Sequence, residues 1–102
     1  MAQVYWSIDA RRDLQDIAAF IAIDSPRQAR VFVEHLREAA EKLRVFPARG
    51  RSVPDLDDPE MREIIVRGYR IIYRLRGGVV GITAVIHSAR DVSRLAEREP
   101  GG

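Results

Sequence analysis

Between residues 61 and 90 the chain carries six arginines (Arg62, Arg67, Arg70, Arg74, Arg76 and Arg90) against one acid, Glu63, together with His87. Such a set suits an anionic partner, with a basic surface meeting nucleic acid or an acidic protein segment. Arginine can hold an anion but cannot exchange protons, because a guanidinium stays protonated near neutrality. Imidazoles titrate in the range that suits proton transfer, so His87 is the one side chain among the basic set able to move a proton. Plainer readings compete with these. A small sheet needs a solvated face, Arg70 and Arg74 could instead form ion pairs with Asp91 and the acids of the loop, and a histidine at a strand end commonly bonds a neighbouring acid such as Asp91 or a backbone carbonyl. Sixteen of the 17 basic residues are arginine, which fits planar phosphate forks and a GC-rich genome equally well.

Several classes drop out on composition. Cysteine is absent, so there is neither a disulfide framework nor a thiolate metal site. No zinc signature, Gly-rich phosphate loop or nucleophile elbow occurs, and no cofactor is expected. The acids Asp55, Asp57, Asp58 and Glu60 lack the spacing of a calcium loop and read as a solvated loop. No apolar run reaches the ~20 residues of a membrane span and no signal peptide opens the chain, so a cytoplasmic location without membrane contact is expected. A length of 102 residues, with 46% hydrophobic and 31% charged side chains, fits one folded domain. The expectation is a domain over 1–91 and a polar, fraying tail over 92–102.

The elements that must position the basic set follow from periodicity. Ser7 or Asp9 can cap a first helix in which Leu14, Ile17, Ala18 and Ile21 share one face, ending at Asp24. Ser25-Pro26-Arg27-Gln28 then gives a hydroxyl cap, a proline at the first helical position and a capping-box glutamine. Ala29, Phe32, Val33, Leu36, Ala40 and Leu43 form its apolar stripe, while Arg30/Glu34, Arg37/Glu41 and Glu38/Lys42 mark the wet side, where His35 is a surface residue. So short a joint makes an antiparallel hairpin of helices. Phe46-Pro47-Ala48-Arg49-Gly50 breaks the second helix, and a polar loop runs to Glu60. Three strands follow, at 62–66, 69–75 and 79–87, with turns at Gly68 and Gly77-Gly78, which makes an antiparallel sheet. The fold class is α+β. Alternation places Tyr69, Ile71, Tyr73 and Leu75 toward the helices and Arg70, Arg74 and Arg76 on the free face. In the last strand it buries Val80, Ile82, Ala84 and Ile86, so Thr83, Val85 and His87 would join the arginines, with Arg90 just beyond. Arg62 and Arg67 are not assigned to a face, because Ile64, Ile65 and Val66 occupy both parities. Trp6 reads as packing on the sheet edge, although it could stack on a base.

The helical hairpin, the Pro-Ala-Arg-Gly turn, Arg62-Glu63-Ile64, Gly68-Tyr69-Arg70-Ile71-Ile72-Tyr73-Arg74 and Ile86-His87-Ser88-Ala89-Arg90-Asp91, in that order, resemble the RelE/ParE superfamily of toxins from bacterial toxin–antitoxin systems over roughly residues 3–91. The resemblance implies an outer strand at Val4-Tyr5-Trp6 and a labile, ParD-like antitoxin as partner. It also implies one of two activities, mRNA cleavage on the ribosome or poisoning of DNA gyrase. Cleaving RNA through its own 2′-hydroxyl needs a base to activate that oxygen, an acid for the leaving oxygen and cations on the phosphate. In a member of the nuclease branch His87 would handle protons with Glu63 as its companion, and Arg70 and Arg74 would hold phosphate. The nuclease branch typically has a lysine-rich loop or a Glu-Arg-His set and an aromatic near the C-terminal end. Here the only lysine, Lys42, lies on the second helix, and Ser88 follows His87. The ParE-like reading is therefore favoured. It implies gyrase as target, no catalysis and no direct nucleic-acid binding, with Arg62, Arg67, Arg70, Arg74, His87 and Arg90 as the candidate contact residues. An inactive antitoxin-binding module is the third reading.

Overall fold

The computed structural model describes residues 1–98. Strand β1 (Gln3–Trp6) leads into α1 (Ile8–Asp24) and α2 (Pro26–Glu41); a 3-10 turn (Lys42–Arg44), a second one (Pro47–Arg49) and strands β2 (Arg51–Ser52), β3 (Met61–Val66), β4 (Tyr69–Arg76) and β5 (Val79–His87) follow. The last element is a 3-10 turn, Ser93–Glu97. One five-stranded sheet runs in the order β1-β5-β4-β3-β2, antiparallel except where β1 lies parallel to β5. The α+β class and the outer N-terminal strand are as expected; the two-residue β2, in the supposed loop, is new.

Local chemistry explains the helix ends. The Ser7 hydroxyl accepts from the Ala10 amide at 3.0 Å, so Ser7 rather than Asp9 caps α1. Ser25 alone separates the helices: its amide closes α1 on the Ile21 carbonyl, and its hydroxyl accepts from the Gln28 amide to open α2. Both hairpin turns have two central residues at positive φ, Arg67 (54°) with Gly68 (80°), and Gly77 (56°) with Gly78 (75°). That is the handedness a two-residue turn needs to follow the strand twist, and at Arg67 a residue with a Cβ adopts it.

Two apolar layers result. The hairpin covers one sheet face, where Leu14, Phe32, Leu36, Ala40 and Leu43 meet Ile71, Tyr73, Val80, Ile82 and Val85. The opposite face, expected to be free, is also covered. Val53, Met61, Ile72, Ala84 and Val92 form a second, smaller core, with Leu56, Ile86 and Leu95 packed against it. The loop 53–60 and the segment 91–98 lie over the arginine side of the sheet. The tail is thus anchored as far as it is described: Val92 is buried, and Arg98 reaches Asp13 on α1 at 2.8 and 3.1 Å. The rest of the tail lies outside the described residues. Among the described residues, no helix is long and apolar enough to cross a membrane.

Alternation fails once, in β5. Ile72 pairs with Ala84 but Tyr73 with Ile82, so Thr83 is an extra, bulged residue. Beyond it the parity reverses. Val85 belongs to the hairpin side, while Ala84 and Ile86 belong to the other. The groups that the bulge frees find partners. The Thr83 carbonyl accepts from Arg98 at 3.0 Å, its hydroxyl donates to the Ile72 carbonyl at 3.2 Å, and the Val85 amide donates to Asp13 at 2.9 Å.

Candidate functional site

The arginines of β4 do lie opposite the helical hairpin, but Arg70 and Arg74 form an internal ion-pair layer, not an open surface, and only Arg76 among them stays exposed. Glu63 projects from β3 with its side chain wholly buried, and Arg70, across the strand pair, is only 6% exposed. Arg70 Nε donates to Glu63 Oε1 at 2.7 Å, Nη2 to Asp55 Oδ1 at 2.7 Å and Nη1 to the Arg90 carbonyl at 3.1 Å. Arg51 closes the other side of Glu63 at 2.7 Å. Asp55 also accepts from the Val92 amide, so a single guanidinium ties β3, β4, the loop and the C-terminal segment together. The hydrogen bond from Arg70 holds the Asp55 carboxyl below the usual carboxylate range, and the same bond raises the guanidinium's own pKa.

Toward the other end of β4, Arg74 pairs with Glu60 at 2.9 Å and Asp58 at 3.1 Å, and Arg76 pairs with Glu60 at 2.6 Å. The acid run read as a solvated loop is therefore the counter-charge of the basic strand. Hydrogen bonds from Arg76, then Arg74, depress the Glu60 carboxyl to about 2. Its ordinary value is 4.5, so its pairing favours the fold above that pH and fades as pH falls from 4.5 toward 2. Glu60→Gln is expected to flatten that portion of the acid limb in a plot of Tm against pH, leaving the curve above pH 5 parallel to the parent's. An unchanged acid limb would disprove the assignment.

The remaining candidates are dispersed. Arg62 Nη1 donates to the Gly50 carbonyl at 2.8 Å and the Ala48 carbonyl at 3.2 Å. Arg67, on the hairpin tip, lies 2.8 Å from Nε2 of His35. His87 is exposed at the end of β5, edge-on to Tyr69, and its Nδ1 accepts from the Ala89 amide at 3.2 Å. That is a local backbone bond, not the Asp91 contact considered above. Because of the bulge at Thr83, His87 shares the hairpin side with Tyr69, its partner across the strands, and does not share a face with Arg70 and Arg74. It borders an open cavity of about 410 Å³ with Asp13, Asp16, Tyr69, Arg90 and Arg98. The expected convergence of His87 with the strand arginines therefore does not occur. Arg90 is exposed, and it is the carbonyl of Arg90 that meets Arg70. Among the described residues no group of three or more His, Asp or Glu side chains could hold a metal ion.

The order of elements and the sheet topology carry over to known proteins. Residues 4–92 match the family described as the ParE toxin of type II toxin–antitoxin systems, parDE. The chain belongs to the ParE toxin family. Its relatives include Toxin RelE2 of Caulobacter vibrioides, 37% identical over 91 residues that span 88% of this chain and 99% of the relative. Toxin RelE1 of the same organism is 34% identical over 85 residues, 79% of this chain and 87% of the relative. Among solved structures, a chain of the chromosomal ParDE system from P. aeruginosa superposes with a TM-score of 0.71, covering 85% of this chain and 96% of that one. At 20% identity, that likeness concerns the fold. Within this ParE-family toxin, the ion pairs of Arg70 and Arg74 with the loop acids are the plainer reading weighed above, whereas sequence reasoning missed the role of Asp13 and the burial of Arg70. The acids of 55–60, equal in number to the arginines of β3 and β4, carried the signal for those pairs.

Proposed function

We propose that this ParE-family toxin acts by binding and not by catalysis, arresting DNA gyrase until a cognate antitoxin masks it. The observation that carries this reading is the separation of the would-be nuclease set. Glu63 and Arg70 neutralise each other in a buried pair, and His87 emerges on the opposite face. A general base must come within hydrogen-bond reach of the proton it removes, with the phosphate-binding cations on the same substrate, and this arrangement does not offer that. For the antitoxin, the groove between the helices supports the reading. Ala18, Ala22, Ala29 and Val33 line it, and Arg30 and Arg37 outnumber Glu34 among its charged residues. Such a groove suits an acidic amphipathic segment that orders as it docks.

Supercoiling assays with purified gyrase test the target. Parent protein and His87→Ala are expected to inhibit equally, because the imidazole performs no proton transfer. Full supercoiling at excess toxin would refute gyrase as target. Two relatives carry the name RelE, so a translating extract makes the second arm. Cleavage of mRNA that disappears with His87→Ala would replace binding by nuclease action.

A further inference from the structure

The bend after α2 combines a backbone fixed at every step with apolar side chains that contribute little to the fold. Its carbonyls and amides are pinned from four directions. The Arg44 carbonyl accepts from the Ala2 amide at 2.8 Å, and the Val45 and Phe46 amides both donate to the Lys42 carbonyl at 3.2 Å. The Tyr73 hydroxyl, rising from the main core, donates to the Pro47 carbonyl at 2.7 Å and accepts from the Gly50 amide at 2.9 Å. Arg62 holds the Ala48 and Gly50 carbonyls. Yet Val45 is 57% and Phe46 65% exposed, and with Pro47, Ala48 and Arg49 they form one continuous surface.

Single exposed apolar residues are ordinary, but a rigid aromatic knob with an adjoining valine and proline is the form a binding hot spot takes. Rigidity matters because a side chain already held in place loses little freedom on docking. The neighbouring charges describe the partner. Arg44 is taken by Glu41, Arg51 by Glu63 and Arg62 by backbone, whereas Lys42 and Arg49 have no carboxylate partner among the described residues. Two free cations around an apolar tip suit a protein pocket with an acidic rim; nucleic acid would ask for many more phosphate contacts.

We propose that Val45, Phe46 and Arg49 form the toxin's docking knob for its cellular target, and that the knob enters an apolar pocket rimmed by carboxylates on that protein. This deepens the binding-toxin reading and rests on it. The test uses Phe46→Asp and Phe46→Ala in the full chain, with Tm, capture by the antitoxin of the neighbouring gene, and growth arrest under titrated expression. The expected result is an unchanged Tm, unchanged capture, and a loss of about tenfold or more in arresting potency. Should Phe46→Asp fold poorly, Phe46→Ala and Arg49→Glu carry the comparison. Full potency in the variants would overturn the proposal, as would a parent chain that leaves growth untouched. Loss of capture with arrest retained would make the knob an antitoxin contact instead. A Phe46-dependent shift of duplex DNA or mRNA by the isolated chain would make the partner nucleic acid. If the parent arrests growth while supercoiling is normal, gyrase alone is refuted, and the Phe46 comparison still decides the knob.

Discussion

Arg70→Met is expected to destabilise the protein by about 3–5 kcal/mol, the range found when one partner of a buried ion pair is removed and the other charge remains. For a domain of this size that corresponds to a fall in Tm of about 15 °C or more. The cause is specific. Glu63 has no exposed side-chain surface, and Arg51, its remaining cation, is itself mostly in solvent and weakly able to compensate. Asp55 would lose its partner at the same time, loosening its hold on the Val92 amide. The double variant Glu63→Met with Arg70→Met leaves no orphaned charge there and should regain most of the loss, because a buried pair replaced by apolar volume is often neutral. Urea denaturation with an unchanged slope is the measurement. A single variant within 1 kcal/mol of the parent would show that water reaches Glu63 and the layer is not dry.

The second large effect belongs to Gly50. Its φ of −68° is open to any residue, so the constraint there is space and not strain. A Cβ would stand 2.6 Å from the Tyr73 hydroxyl and 2.7 Å from the Glu63 carbonyl. The carbonyl belongs to a paired strand and cannot move alone, so the bend carrying Pro47 and Phe46 must yield. Gly50→Ala is expected to cost about 1–3 kcal/mol, as overpacking does. Unlike the Phe46 variants it should lower Tm and arresting potency together. Adding Tyr73→Phe removes the nearest of the three close contacts while the ring Cε1 at 2.9 Å and the Glu63 carbonyl remain, so the double variant should lose less than the sum of the singles without recovering the parent. A Gly50→Ala protein with parental Tm would mean the bend is softer than its hydrogen bonds suggest.

These expectations depend on features that differed in how plainly the sequence announced them. Ser25-Pro26, Gly68 and Gly77-Gly78 act through their own backbone chemistry, so each is readable without knowing its neighbours, whereas the positive φ of Arg67 is not. The stripe from Ala29 to Ala40 is likewise local, and α2 buries most of it, with Leu43 buried from the 3-10 turn that follows. The second core was not readable in that way. Its cover comes from Val53, Leu56, Val92 and Leu95, isolated apolar residues in polar stretches with no period to join them. Thr83 left no mark either, because a bulge is a compromise between registers of two strands, not a property of one. That one extra residue misplaced Val85 and His87, and with them the convergence on which a nuclease reading relied. The charge split was visible, but its meaning was not decided by it. Six arginines against one acid fitted both a partner outside the molecule and ion pairs with the loop, and Asp55, Asp58 and Glu60 supply the second.

The parallel pairing of Gln3–Trp6 with residues 79–82 sets the order in which the protein can be made. Strand β1 has no ladder partner until β5 has left the exit tunnel, with more than seventy residues in between. Contacts so distant along the chain form late and slow the final closure. The growing polypeptide therefore spends most of its synthesis without a finished sheet, and the surface that the complete sheet displays exists only once residues 79–82 have joined β1.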